Sequence, residues 1–271
     1  MTSDDSFDLL LEYMETELAF ATSHYNDSYL DRRITARMRR TESETYEEYF
    51  EYVRSDADEQ RALLDSLSIN VTGFFRNPEV WDGVRDVLRT LASENGRINI
   101  WSAACADGRE PYSLSMVVHD EPRIDPSSVR ILGTDISNEA LQVARQGVYE
   151  ESRTTNLGDE LEYLGEYGQY VDYDSSENVY RVRDNIKRPV EFRRHDLING
   201  DPKSGFDLVT CRNLFIYIDT EYKQSMLQTI SESISRGGYL IIGKSETIPP
   251  GMKSTFSPVD NRNRIYRKEN E

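Results

Sequence analysis

Between Arg97 and Gly147 the chain alternates two apolar runs, "RINIWSA" and "VRILGTD", with two helical patterns, "EPYSLSMVVHD" and "SNEALQVARQG". Strand, helix, strand, helix in that compass admits a parallel sheet with right-handed crossovers and little else. Ser137 is placed to cap the second helix and Gly147 to stop it. Further on, "FDLVTCRN" reads as a central strand, "TEYKQSMLQTISESIS" as a helix, "GGYLIIGKSE" as a strand and "NRIYRK" as a short last strand. The fold class is α/β with a mainly parallel sheet. Tyr149 to Arg194 interrupts the alternation with a polar helix around "LGDELEYLGEYG" and a hairpin, "QYVDYDSSENVYRV". We expect a small inserted β-subdomain there, over about 149–190.

Ahead of this lies a different pattern. From Ser6 to about Ser68 apolar residues recur at helical spacing with neither proline nor glycine, and polar clusters near Asn26, Thr41 and Ser55 mark breaks. The expected organisation is a helical domain over 1–69, a linker and bridging helix over 70–96, and the α/β domain over 97–271. In "YLDRRITARMRR", Leu30, Ile34 and Met38 form one apolar face, and Arg32, Arg33, Arg37, Arg39 and Arg40 crowd the rest. Such a run is a solvated face paired with acids such as Glu42, Glu44 and Glu47, or a docking face for an acidic partner.

Against 32 basic residues stand 49 acidic ones, a formal net charge of -17. That sign opposes attraction to nucleic acid or anionic lipid. Six of the basic residues are lysine. High acidity with little lysine reads as a halophilic surface, with an ordinary acidic protein as the alternative. Cys105 and Cys211 are too few for a disulfide framework and lack metal-ligand spacing, so they read as small buried hydrophobes in a reducing compartment and no metal site is expected. The start "MTSDDSFDLL" has no basic leader, which points to the cytoplasm.

In an open α/β sheet the ligand lies beyond the carboxyl ends of the strands. The residues there are "SAACADGREP", "TDIS", "HDL" and "TCRNLFIYID". Asp135 ends a strand where a carboxylate accepts from both hydroxyls of an adenosine ribose. The first loop holds one glycine, Gly108, where a pyrophosphate loop holds three, and Glu110 adds a negative charge. Gly108 would allow one close backbone approach. A phosphate-free cation, S-adenosylmethionine (SAM), suits this loop better than a dinucleotide.

"NVTGFFR", "WSAACADGREPYSLSM", "GTDIS", "CRNLFIYID" and "GKSE" occur in the order and spacing of the chemotaxis receptor methyltransferase family, CheR, and the chain resembles that family over nearly its whole length. The resemblance implies a Rossmann-like SAM-dependent methyltransferase that methylates glutamate side chains of methyl-accepting chemotaxis receptors, leaving S-adenosylhomocysteine (SAH). It implies cofactor contacts at Asn70, Thr72, Arg76, Glu110, Asp135, Asp196, Leu197, Asn213 and Leu214. Arg76 and Tyr217 are the residues expected to act on the reacting groups. The helix arginines 32, 33, 37, 39 and 40 become expected docking residues for the receptor's helical methylation region. Arg109 and Lys244 depart from the family pattern, which has a second acid and a histidine there. Some members bind a receptor pentapeptide through a glycine-bearing loop; "VDYDSSENVYRV" has no glycine, so no such tether is expected. The alternatives are a methyltransferase for another acceptor and a SAM-sensing module without transfer activity.

Overall fold

The computed structural model describes residues 3–18, 20–67, 72–152 and 155–269. The chain divides into two compact units, Met1–Ile69 with Phe215–Lys223, and Asn70–Leu214 with Gln224–Glu271.

The first unit holds four helices: α1 (Ser3–Thr16), α2 (Asp27–Arg40), α3 (Tyr46–Ser55) and α4 (Ala57–Leu67). Asn26 and Thr45 cap α2 and α3 by accepting from Tyr29 N and Glu48 N. Leu10, Met14, Leu30, Ile34, Tyr49, Val53 and Leu63 fill the core, each buried to within 1% of complete exclusion. A segment from far along the chain joins them. Asn26 N–H donates to Tyr217 O (3.0 Å), Asp219 N–H to His24 O (3.0 Å), and Tyr25 bridges Ile218. The expected assignment of everything after 97 to the α/β domain therefore misses 215–223, because this pairing spans some 190 residues and leaves no local periodicity.

The second unit is built on a seven-stranded sheet of order β6-β2-β1-β7-β8-β10-β9. Its strands are β1 (Ile98–Ala103), β2 (Val129–Asp135), β6 (Val190–Arg194), β7 (Phe206–Cys211), β8 (Ile234–Ile242), β9 (Phe256–Asp260) and β10 (Ile265–Lys268). The first five in spatial order are parallel, and β10 and β9 run antiparallel at the edge. Edge strand β9 escaped the sequence reading, since it contains Pro258, which only an edge tolerates. Helices α5 (Pro78–Glu94), α6 (Arg109–Asp120), α7 (Asn138–Gln146) and α10 (Thr220–Ser233) connect or flank the strands. Ser137 caps α7 through Ala140 N, and Gly147 closes it in the left-handed region at φ 60°. Helix α5 is no mere bridge. Val80, Trp81, Val84, Leu88 and Leu91 sit in the main hydrophobic core with Leu114, Val117 and Ile241.

The insertion forms a second sheet, β3-β5-β4, from β3 (Val148–Glu150), β4 (Val171–Asp174) and β5 (Val179–Val182). Its polar helical stretch is α8 (Leu157–Leu161) continued by a 3-10 turn, Glu162–Leu164, which Gly165 closes at φ 71°, and the single turn α9 (Asp184–Lys187) leads back to β6. No helix among the described residues is long and apolar enough to cross a membrane.

Candidate active site

Strand order reverses at β1: the next strand, β2, lies on one side and β7 on the other. A crevice forms at such a switch point, beyond the carboxyl ends. Ser102 and Thr210 face each other there in register. Between them sits Glu110, in the first turn of α6. Its Oε1 accepts from Ser102 Oγ (2.8 Å) and Thr210 Oγ1 (2.7 Å), and its Oε2 accepts from Arg212 Nη1 (3.2 Å). Arg212, directly after β7, also donates through Nη2 to the carbonyl of Arg76 (2.7 Å) and to Asn77 Oδ1 (3.2 Å). Glu110 and the segment carrying Thr72 and Arg76 are thereby brought together. Asn70 lies outside the described residues.

Asp135 ends β2. Its Oδ2 accepts from Ala106 N (2.8 Å) and its Oδ1 from Ser137 N (2.9 Å), and a carboxylate has about four acceptor sites in all. Burial pushes its carboxyl above the ordinary range, against those backbone hydrogen bonds. Ile136 beside it is a large apolar side chain left 50% exposed. That exposure at a strand end suits the face of a flat ring, and sequence alone gave no sign of it.

The loop from Ala104 to Gly108 turns through three left-handed residues, Ala104 (φ 57°), Ala106 (φ 48°) and Gly108 (φ 88°). Three of its N–H groups are spent inside the protein: Cys105 N donates to Thr134 O (2.8 Å), Ala106 N to Asp135, and Gly108 N to Cys105 O (3.1 Å). Phosphate cradles need such groups free and convergent. This donor set does not fit a pyrophosphate. Two carboxylates with spare acceptors fit a cofactor that offers hydroxyls and a positive charge.

Packing gives a further reason for glycine at position 108. A Cβ there would lie 2.7 Å from Ala144 Cβ and 2.9 Å from Phe192 Cζ. The glycine serves its φ and the packing on α7 and β6, and no ligand approach is needed to explain it.

Arg109, the first departure from the family pattern, is 9% exposed and pairs with Asp107 and Glu160. Its Nε donates to Asp107 Oδ2 (3.1 Å) and its Nη1 to Glu160 Oε2 (3.3 Å), and Glu160 accepts from Phe74 N (2.8 Å). It thus ties the loop to the insertion. Lys244, the second departure, pairs with Glu79 in the first turn of α5.

Asp196 follows β6 and closes its own turn, accepting from Ile198 N (2.8 Å) and Asn199 N (3.2 Å); Leu197 is 7% exposed. Asn213 stands after β7 at φ 62°, a region that asparagine tolerates. Its N–H donates to Glu246 Oε2 (3.1 Å), as does that of Gly243. Leu214 is half-buried where the chain leaves the unit. Sequence reasoning missed Arg212, Glu246, Ser102 and Thr210, although all four lie inside motifs it quoted.

In the helical unit, Tyr217 packs its ring on Tyr29, centroids 4.9 Å apart. Arg37 is not available for docking. Its Nε donates to Glu59 Oε1 (3.0 Å), its Nη2 forms an ion pair with Glu59 Oε2, and Tyr49 OH donates to the same carboxylate (2.6 Å). Neither acid reading anticipated Glu59. Arg32, Arg39 and Arg40 are exposed, while Arg33 is partly buried with its guanidinium over the Tyr29 ring.

Residues 70–265 match the family model described as "CheR methyltransferase, SAM binding domain", and residues 5–68 match "CheR methyltransferase, all-alpha domain". With the sheet order and strand-end residues above, this makes the protein an S-adenosylmethionine-dependent methyltransferase. A chemotaxis protein methyltransferase of Listeria monocytogenes is 33% identical over 237 residues, covering 87% of each chain. One from Vibrio parahaemolyticus is 34% identical over 203 residues, 73% of this chain and 72% of the relative. One from Borreliella burgdorferi is 28% identical over 258 residues, 90% and 88% respectively. The chain belongs to the CheR methyltransferase family.

Proposed function

We propose that this enzyme methylates glutamate side chains of chemotaxis receptors, forming glutamyl methyl esters, in the cytoplasm. The observation that carries the reading is the pair of carboxylates, Asp135 at the end of β2 and Glu110 held between Ser102 of β1 and Thr210 of β7, beside a loop with three of its N–H groups already used. Bound there, SAM supplies an electrophilic methyl on a sulfonium centre.

In this reading Asp135 accepts from the ribose hydroxyls, and Glu110 takes the cationic amino-acid end. Asn70, Thr72, Asp196, Leu197, Asn213 and Leu214 complete the cofactor contacts. Arg76 holds the cofactor carboxylate and assists in drawing in the acceptor. Tyr217, braced by Tyr29, orients the acceptor. The acceptor glutamate has an ordinary pKa of about 4.3 and is ionised at neutral pH, so no general base is needed. The protein contributes alignment and removal of water.

For the partner, the exposed Arg32, Arg39 and Arg40, with Arg33 beside them, meet an acidic helical methylation region. Arg37 stays within the fold. A receptor pentapeptide tether is not part of the reading, since the β4–β5 turn lacks glycine; tight binding of such a peptide would contradict this.

The test is incubation with methyl-labelled SAM and receptor membranes. Base-labile label on the receptor, released as methanol, supports the reading. Label that is base-stable, or absent from receptor, favours another acceptor or a non-transferring module.

A further inference from the structure

Arg212 is a buried cation that the cofactor reading leaves without a role. Its side chain is 3% exposed, and Glu110 is its sole ion-pair partner among the described residues. The guanidinium lies 5.8 Å from the centroid of Trp81, whose Nε1 donates to the same Arg76 carbonyl (3.2 Å) that Arg212 Nη2 reaches. Its Nε is buried with no hydrogen-bond partner among the described residues. Isolated burial of a charge is costly, so a fold that keeps one uses it or pairs it well.

The segment it clamps needs a clamp. Phe75 (φ 46°) and Asn77 (φ 59°) both take left-handed backbone, and Asn77 precedes α5 without making a side-chain cap. Its Oδ1 accepts from Arg212 instead. A planar fork reaches Glu110, Arg76 O and Asn77 Oδ1 at once; an ammonium is one point charge and does not span them.

We propose that Arg212 is a positioning residue that sets Glu110 and the Arg76 segment together, one buried cation fixing the place of both. The proposal rests on the reading that Glu110 belongs to the cofactor site. Arg212 touches no reacting atom in it.

Two effects separate positioning from mere packing. A residue that acts through Glu110 matters less once Glu110 is gone, and a cation of another shape restores only part of what an apolar side chain loses. The experiment is calorimetric titration of SAH into wild type, R212M, R212K, E110Q and the double variant R212M/E110Q at pH 8, with circular dichroism to check folding. We expect R212M to bind about tenfold more weakly and R212K, which keeps the charge but lacks the fork, about fivefold. In the double variant the loss of Arg212 should add less than about threefold to that of E110Q. Wild-type affinity in R212M, or a full further loss of about tenfold in the double variant, overturns the proposal. Should R212M not fold, R212K decides: wild-type affinity there overturns the proposal. E110Q tells the two levels apart, because unchanged SAH binding in it removes Glu110 from the site and the underlying reading with it.

Discussion

Replacing Asp135 by asparagine is the sharpest perturbation of the site, because the shape stays and the acceptors halve. The carboxylate has lone pairs on both oxygens, and two are taken by Ala106 N–H and Ser137 N–H. The capacity beyond those bonds is what the reading assigns to the ribose hydroxyls. An amide has one oxygen, so whichever way it turns, its NH2 meets one of those backbone donors. One charge-assisted acceptor is lost and the other becomes neutral, together about 1.5–3 kcal/mol, or about 10- to 150-fold in affinity. Stability should move differently. The Asp135 carboxyl is raised by burial, so its contribution to stability is present in acid and lost as pH rises through the folded-state value. At neutral pH the ionised group is a cost that asparagine removes, offsetting the lost backbone bond. Calorimetry with SAH and thermal melts of the ligand-free enzyme measure the two effects. A folded variant that binds SAH within threefold of wild type would refute the reasoning.

Other perturbations follow from the same geometry. Arg37→Met strips the buried Glu59 of its cation and should cost about 3–5 kcal/mol in chemical denaturation of the helical unit. The double reversal Arg39→Glu with Arg40→Glu should cost about 1 kcal/mol, since both stand in the last turn of α2, yet raise the receptor KM severalfold; an unchanged KM returns them to a solvated face. Gly108→Ala places a methyl 2.7 Å from Ala144 at φ 88°, and we expect about 2–4 kcal/mol of destabilisation by thermal melting; an unchanged Tm would contradict this. Glu121, 3% exposed, accepts from Arg123 (2.9 Å) and Arg89 (2.7 Å); burial raises its pKa, and these bonds outweigh that, lowering it from 4.5 to about 2. Its stabilisation is present above 4.5 and lost as pH falls toward 2, so Glu121→Gln should lower Tm at pH 7 by about 2–4 °C and flatten the acid limb of the melting curve.

What the sequence made legible was local. The alternation from Arg97 to Gly147 carries its own caps, Ser137 and Gly147, and Asp135 is marked by its place at a strand end. Residues whose meaning depends on distant partners were not legible. Arg37 sits in a helix with five arginines, and only Glu59, packed against it from α4, distinguishes it from Arg39 and Arg40. The packing role of Gly108 was not legible because its neighbours Ala144 and Phe192 come from α7 and β6. Arg212 stood inside a quoted motif, but its link from Glu110 to the Arg76 carbonyl joins three segments that no single motif contains. The pairing of Ile218 with Tyr25 is of the same kind.

A crystal structure with SAH tests the central claim most directly. The account predicts the ribose hydroxyls on the Asp135 carboxylate and the amino-acid end at Glu110, beyond the ends of β1, β2 and β7. SAH bound elsewhere, or bound there with Asp135 and Glu110 both out of hydrogen-bond reach, would contradict it.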